Sequence, residues 1–147
     1  MHQTYKGKFK PKHPEKYQGT MPIIYRSGWE LRLMSWLDSN QKIISWGSES
    51  VVVPYVCATD NRPHRYFVDF LIKYCDGRIF LVELKPENQT KVPTRGKKRQ
   101  ATVITETLSY AKNLSKWNAA AAYAEKQGWI FQIWTEKTLK NLGIPVC

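Results

Sequence analysis

Two carboxylates stand where this sequence is otherwise apolar. Asp69 lies within Tyr66-Phe67-Val68-Asp69-Phe70-Leu71-Ile72, and Glu83 within Ile79-Phe80-Leu81-Val82-Glu83-Leu84-Lys85. The chain carries only 12 acidic residues, so acids inside apolar runs need a reason. A buried carboxylate normally has a cation, a set of hydrogen bonds or a raised pKa, because leaving it alone is costly. The bland reading is an outward-facing acid on a half-exposed sheet, paired with a lysine. The chemical reading takes Glu83 with Lys85, two residues on and therefore on the same face of a strand. Two neighbouring carboxylates repel unless a divalent cation joins them, and an all-oxygen donor set suits Mg²⁺ or Mn²⁺. Such an ion polarises a phosphodiester and activates water. Lys85 would orient or deprotonate that water and stabilise the charge that develops.

Whether Asp69 joins Glu83 depends on the turn between them. A two-residue Asp76-Gly77 loop pairs Cys75 with Arg78 and puts Asp69 opposite Leu84, on the wrong face. A three-residue loop, Cys75-Asp76-Gly77 with Gly77 left-handed, pairs Tyr74 with Arg78 and sets Asp69 across from Glu83. The three-residue loop is the working expectation; a 69–84 pairing would remove the shared site.

The surrounding elements follow from periodicity and punctuation. Ser27-Gly28-Trp29-Glu30 has the form of a capping box and starts a helix that ends at Asp38-Ser39-Asn40. Strand-like segments follow at Ile43–Trp46, Val51–Val56, Tyr66–Tyr74 and Arg78–Leu84. Residues 86–100 form a basic loop. A helical stretch runs from Ala101 to Lys126, with Ile104, Leu108, Ala111, Leu114, Ala121 and Ala124 on one side. It is one helix, or two if Ser115 caps a second start. Gly128 stops it, Trp129–Trp134 reads as a buried strand, and Thr135 caps a short helix ending at Gly143. The order predicts an α/β domain, a mixed sheet between helices, over residues 21–147. Residues 1–20 read as a basic, irregular arm.

Composition narrows the partners. The net charge of +11 favours a polyanion. It is concentrated at Lys6, Lys8, Lys10 and Lys12 near the start, and at Lys91, Arg95, Lys97, Lys98 and Arg99 in the basic loop. These are the expected DNA contacts, together with Arg26 and Tyr66 beside the candidate site. Their bland alternative is a solvated surface. No apolar run spans a membrane, and no secretory signal is evident. Cys57, Cys75 and Cys147 have no zinc-pair spacing, nor do the histidines, so free thiols are expected.

Asp69, 13 intervening residues and Glu83-Leu84-Lys85 resemble the PD-(D/E)xK motif of the restriction-endonuclease-like nucleases. The family's proline is Val68 here. The resemblance implies that Asp69, Glu83 and the Leu84 carbonyl bind the metal, that Lys85 is the catalytic lysine, and that Glu30 serves a second metal or its water. Glu30 therefore has two readings, as the capping-box partner of Ser27 and as a site residue. More of the chain, through Tyr25-Arg26-Ser27-x-Trp29-Glu30, Ile43–Glu49, Val52–Tyr55, Arg65–Asp69, Glu83–Pro86 and Lys116–Ala120, resembles the head-completion nucleases of contractile-tailed bacteriophages. A more distant likeness is to TnsA-type transposon endonucleases. These resemblances imply a restriction-endonuclease-like core and a DNA endonuclease acting on double-stranded DNA. They also imply work in the host cytoplasm or on the virion, with capsid or neck proteins as partners. A homodimer would let one small domain reach both strands. The competing class is a DNA-binding assembly protein that keeps the fold without cutting.

If residues 1–20 grip the phosphate backbone, removing their charge will weaken DNA affinity and flatten its salt dependence. An unchanged salt slope in a binding titration would assign them another task.

Overall fold

The computed structural model describes residues 6–145. Two short strands, β1 (Gly7–Phe9) and β2 (Ile23–Tyr25), pair antiparallel ahead of helix α1 (Gly28–Ser39). The main sheet has four strands: β3 (Ile43–Val56), β4 (Pro63–Tyr74), β5 (Ile79–Leu84) and β6 (Ile130–Trp134). They lie in the order β3-β4-β5-β6. The first three run antiparallel in sequence. Helix α2 (Gln100–Gln127) then carries the chain over the sheet, so β6 joins β5 in parallel. Helix α3 (Glu136–Asn141) follows β6. The expected mixed sheet between helices is therefore present.

Each face of the sheet has its own core. Leu33, Met34 and Leu37 of α1 pack with Trp46, Phe70, Ile72, Phe80 and Val82, and Leu139 of α3 joins them. Trp117, Ala120 and Ala124 of α2 pack with Val51, Val53, Tyr66, Val68 and Leu81 on the other face. The buried residues of β4 thus change allegiance between Val68 and Phe70. β3 does the same, with Trp46 in one core and Val51 in the other.

A bulge in β3 accompanies that change. Ser48 pairs with Phe70 and Val51 with Val68, which leaves Glu49 and Ser50 facing the single residue Asp69. Glu49 adopts φ 52°, a conformation that costs a non-glycine residue about 1–3 kcal/mol. Gly47 precedes it because the backbone is crowded there: a Cβ would lie 2.5 Å from the Gln18 carbonyl oxygen. The Gly47–Ser50 stretch separates two strands in the sequence reading, whereas the chain bends through it as one strand.

Helix α2 settles the open alternative in favour of one helix. The Ser115 hydroxyl donates to the Ala111 carbonyl and accepts the Ala58 amide, each at 3.1 Å. Ser115 thus anchors the β3–β4 loop instead of capping a helix. The expected apolar stripe is not the buried side: Ile104 and Leu108 are about half exposed, Leu114 and Ala121 are exposed as well, and of the six only Ala124 is buried. The sheet lies beneath the later turns only, and the side facing it there is Trp117, Ala120 and Ala124.

The basic segment near the start is built onto α1. The buried Asp38 accepts the amides of Lys12 at 2.8 Å and His13 at 3.0 Å. The Lys16 ammonium donates to the carbonyls of Leu37, Asp38 and Asn40 at 2.7, 2.9 and 2.9 Å. It thereby fills the end of the helix where carbonyls lack partners and the dipole favours a cation. Tyr17 packs edge-on against Trp46 at 4.8 Å. Lys6, Lys8, Lys10 and Lys12 remain exposed, while residues 1–5 of the expected arm and Cys147 lie outside the described residues.

Lys16→Met should therefore lower stability by about 2 kcal/mol, the scale of losing charged hydrogen bonds. Chemical denaturation checks this, and a change near zero would mean that water replaces the ammonium at no loss.

Candidate active site

The β4–β5 hairpin sets the geometry. The Tyr74 amide bonds the Arg78 carbonyl at 2.9 Å, the Gly77 amide bonds the Tyr74 carbonyl at 3.0 Å, and Gly77 has φ 95°. This is the three-residue turn, with Gly77 where a side chain would be strained. From there the ladder runs Lys73 to Ile79, Ile72 to Phe80, Leu71 to Leu81 and Phe70 to Val82. One further step brings Asp69 opposite Glu83. The Asp69 carboxylate then accepts the Leu84 amide at 2.8 Å. The Lys85 amide bonds the Trp134 carbonyl at 3.0 Å, prolonging the β5–β6 ladder and leaving Lys85 on the face of Glu83.

Asp69 sits where the two cores meet, and α1 delivers Glu30 to the same place. The Ser27 hydroxyl accepts the Glu30 amide at 3.1 Å, as an N-cap does. The Glu30 carboxylate accepts the Arg26 amide at 3.2 Å. The Glu30 carboxylate thus closes the helix start through the Arg26 amide and not the Ser27 amide of a full capping box, and its charge acts on Asp69. Burial pushes the Glu30 carboxyl up, and the nearby Glu49 charge adds to this. Asp69 is raised well above the usual carboxylate range, first by burial and then by the Glu83 charge; the Leu84 amide opposes the shift.

Helix α2 and the bulge supply neighbours that the sequence reading did not single out. Glu49, opposite Asp69, is ion-paired with Arg26. Its signal in the sequence is an acid directly after a strand-breaking Gly-Ser pair. Trp117 turns its indole N–H toward the buried Glu83 carboxylate at 3.5 Å. Lys116, the preceding residue, lies over the Tyr66 ring at 5.3 Å. Lysine followed by an apolar tryptophan on a helix facing the acidic strands was the available clue.

The expected DNA contacts divide. Lys91, Arg95, Lys97, Lys98 and Arg99 are all exposed in the segment leading into α2. Lys98 is engaged with Glu106 at 2.7 Å. Arg26 is exposed but held by Glu49. Tyr66 is only 4% exposed, so it faces the interior and not the surface; its hydroxyl lies against Glu83 with no well-formed hydrogen bond. Cys57, Asp60 and His64, which have no familiar ligand spacing, are gathered by the β3–β4 loop with their ligand atoms within 4.8 Å. There His64 bonds Asp60 at 2.8 Å. Cys57 and Cys75 are free thiols.

Asp69 faces Glu83 and is also within electrostatic reach of Glu30. The oxygens of these three acids do not gather within 4.8 Å as the Cys57, Asp60 and His64 ligand atoms do, and a buried phenol nearby lacks a partner. The Asp69–Glu83 pair fits a hard divalent cation. A mixed sheet with a β5–α2–β6 crossover and helices packed on both faces is the restriction-endonuclease-like architecture. Residues 40–136 match the N-terminal domain of the TnsA-like endonucleases, and the chain belongs to that family. It is also 42% identical over 147 residues to the head completion nuclease of Enterobacteria phage T4, covering 95% of this chain and 96% of that protein. Among the described residues no helix is long and apolar enough to cross a membrane.

A raised carboxyl pKa means that the folded state holds its proton more tightly than the unfolded chain does. The stability this gives is full below the unfolded value, near pH 4, and is lost as pH rises through the folded one. Asp69→Asn should therefore raise the melting temperature of metal-free protein at pH 7–8 by about 3 °C or more, with the gain vanishing near pH 4. Equal melting at both pH values would show that Asp69 is not strained by its surroundings.

Proposed function

We propose that this chain is a divalent-metal-dependent endonuclease of double-stranded DNA, working at phage head completion on packaged DNA ends before the tail joins. The observation that carries the chemistry is the opposition of Asp69 and Glu83 across the hairpin, with Lys85 on the same face and Glu30 adjoining. The T4 relative's name supports the setting. In this reading the set is a PD-(D/E)xK site, with Val68 in the proline position.

Asp69, Glu83 and the Leu84 carbonyl would hold Mg²⁺, for which Mn²⁺ would substitute, with Glu30 serving a second ion or its water. When bound, the ion polarises the phosphate and makes water a better nucleophile at neutral pH. The residues do the rest. The Leu84 amide fixes the Asp69 carboxylate, and the Trp117 indole fixes that of Glu83. Lys85 orients the attacking water and stabilises charge on the phosphate. Exposed Lys91, Arg95, Lys97, Lys98 and Arg99 hold the duplex backbone, with Lys6, Lys8, Lys10 and Lys12 as a second grip and Arg26 at the edge of the site. Capsid or neck proteins supply recruitment in the host cytoplasm or on the virion, and two copies give a double-strand cut.

Plasmid cleavage by purified protein in Mg²⁺ or Mn²⁺ tests this beside Glu83→Ala and Lys85→Ala. The expected result is nicking or linearisation by the wild type and a loss of about 10²-fold or more in each folded variant. Cleavage that persists in both variants would place the chemistry elsewhere. A wild type that binds DNA but never cuts, even with capsids present, would favour an assembly role.

A further inference from the structure

We propose that Lys116 is a second catalytic lysine, whose ammonium group contacts a non-bridging oxygen of the scissile phosphate from helix α2 while Lys85 acts from β5. The inference rests on the reading of the carboxylate site given above.

Lys116 is placed by its neighbours on both sides. Trp117 is buried in the core beneath α2 and aims its indole at Glu83, so the turn of helix carrying Lys116 is pinned against the acidic strands. The Lys116 nitrogen lies 5.3 Å from the centre of the Tyr66 ring, and Tyr66 is itself buried three residues before Asp69. A lysine stem is long enough to carry its head into water from the edge of such a helix. This one folds back over the aromatic face instead, half-buried, where cation–π attraction favours it. The charges of Glu83, Lys112, Lys85 and Asp69 all act on it, so it lies within electrostatic reach of both carboxylates and of Lys85. Burial disfavours the ammonium form there, while the two carboxylates sustain it.

Among the described residues Lys116 forms no ion pair, unlike Lys98, which precedes the helix and pairs with its Glu106. Its donors are thus available to an incoming anion. In phosphodiester hydrolysis a bond forms from water oxygen to phosphorus as the bond to the leaving oxygen breaks. The attacking water gives up one proton to solvent, the leaving oxygen takes one up from it, and negative charge grows on the non-bridging oxygens. An ammonium already fixed at that position counters the charge without rearrangement. Lys116 keeps its proton throughout. Tyr66, whose ring is the platform, is then a positioning residue.

Lys116→Met keeps the aliphatic stem over Tyr66 and removes only the charge. We expect it to fold and melt like the wild type, and to lose about 100-fold in kcat on plasmid in Mn²⁺ with KM little changed. Lys116→Arg should recover about 10-fold of that loss. In a Mn²⁺ titration without DNA, Lys116→Met should bind the ion about 3-fold tighter, because a repelling charge has gone; a structural role would not do this. Lys112→Met, an exposed lysine one turn earlier, should cut normally. Wild-type cleavage by Lys116→Met, a melting temperature that falls along with activity, or a KM effect shared equally with Lys112→Met each overturns the assignment. Cleavage that survives Glu83→Gln would instead defeat the site reading itself, and Lys116 with it.

Discussion

Repulsion between the carboxylates of Asp69 and Glu83 is the constraint around which this fold is arranged. Nothing in the folding of a sheet requires two acids to face each other across neighbouring strands; hydrophobic burial would favour Val or Leu at both places. They are held there because the Gly77 turn fixes the register of β4 on β5 and packing on both faces prevents slippage. A slip of one residue would turn Phe70, Ile72, Phe80 and Val82 out of the core beneath α1. The apolar neighbours that make the acids conspicuous are therefore what keeps them opposed.

The seam between the two cores explains why other groups reach the same spot. Where β3 and β4 exchange one core for the other, the ladder is interrupted by the Ser48–Val51 bulge, and side chains from both faces meet. Glu30 comes from the α1 side, Trp117 and Lys116 come from the α2 side, and Glu49 comes from the bulge. A flat, regular sheet would have kept these groups on separate faces.

Much of this was legible in the residues because the signals were local. The capping serine before Glu30, the hairpin turn and the alternation around Asp69 and Glu83 each involve neighbours within a few positions, where backbone sterics dominate. The continuity of β3 was hidden because Gly47-Ser48 reads as a break, and only a close approach by Gln18 from elsewhere in the chain reveals why glycine is needed. The buried face of α2 was misread for a related reason. Helical spacing identifies which residues share a side but not how far the underlying sheet extends. Tyr66 followed the alternation of its own strand into the core, so its closeness in sequence to Asp69 said nothing about access to DNA. Lys116 and Glu49 carried only faint local signals, because long-range packing is what brings them toward Asp69.

The overhang of α2 has a consequence for how evenly the molecule holds together. A helix of 28 residues extends about 42 Å, and only its later turns rest on β3 and β6 with Trp117, Ala120 and Ala124 beneath them. The earlier turns depend on their own backbone bonds, supplemented by Thr105 and Thr107 donating to carbonyls four residues back. A stretch of that length is marginal as an isolated helix in water. Amide exchange along α2 will therefore be graded, rapid through its first turns and slow from Trp117 onward. The basic segment that precedes α2 is hinged to the soft end of this gradient, whereas Lys116 stands at its rigid end.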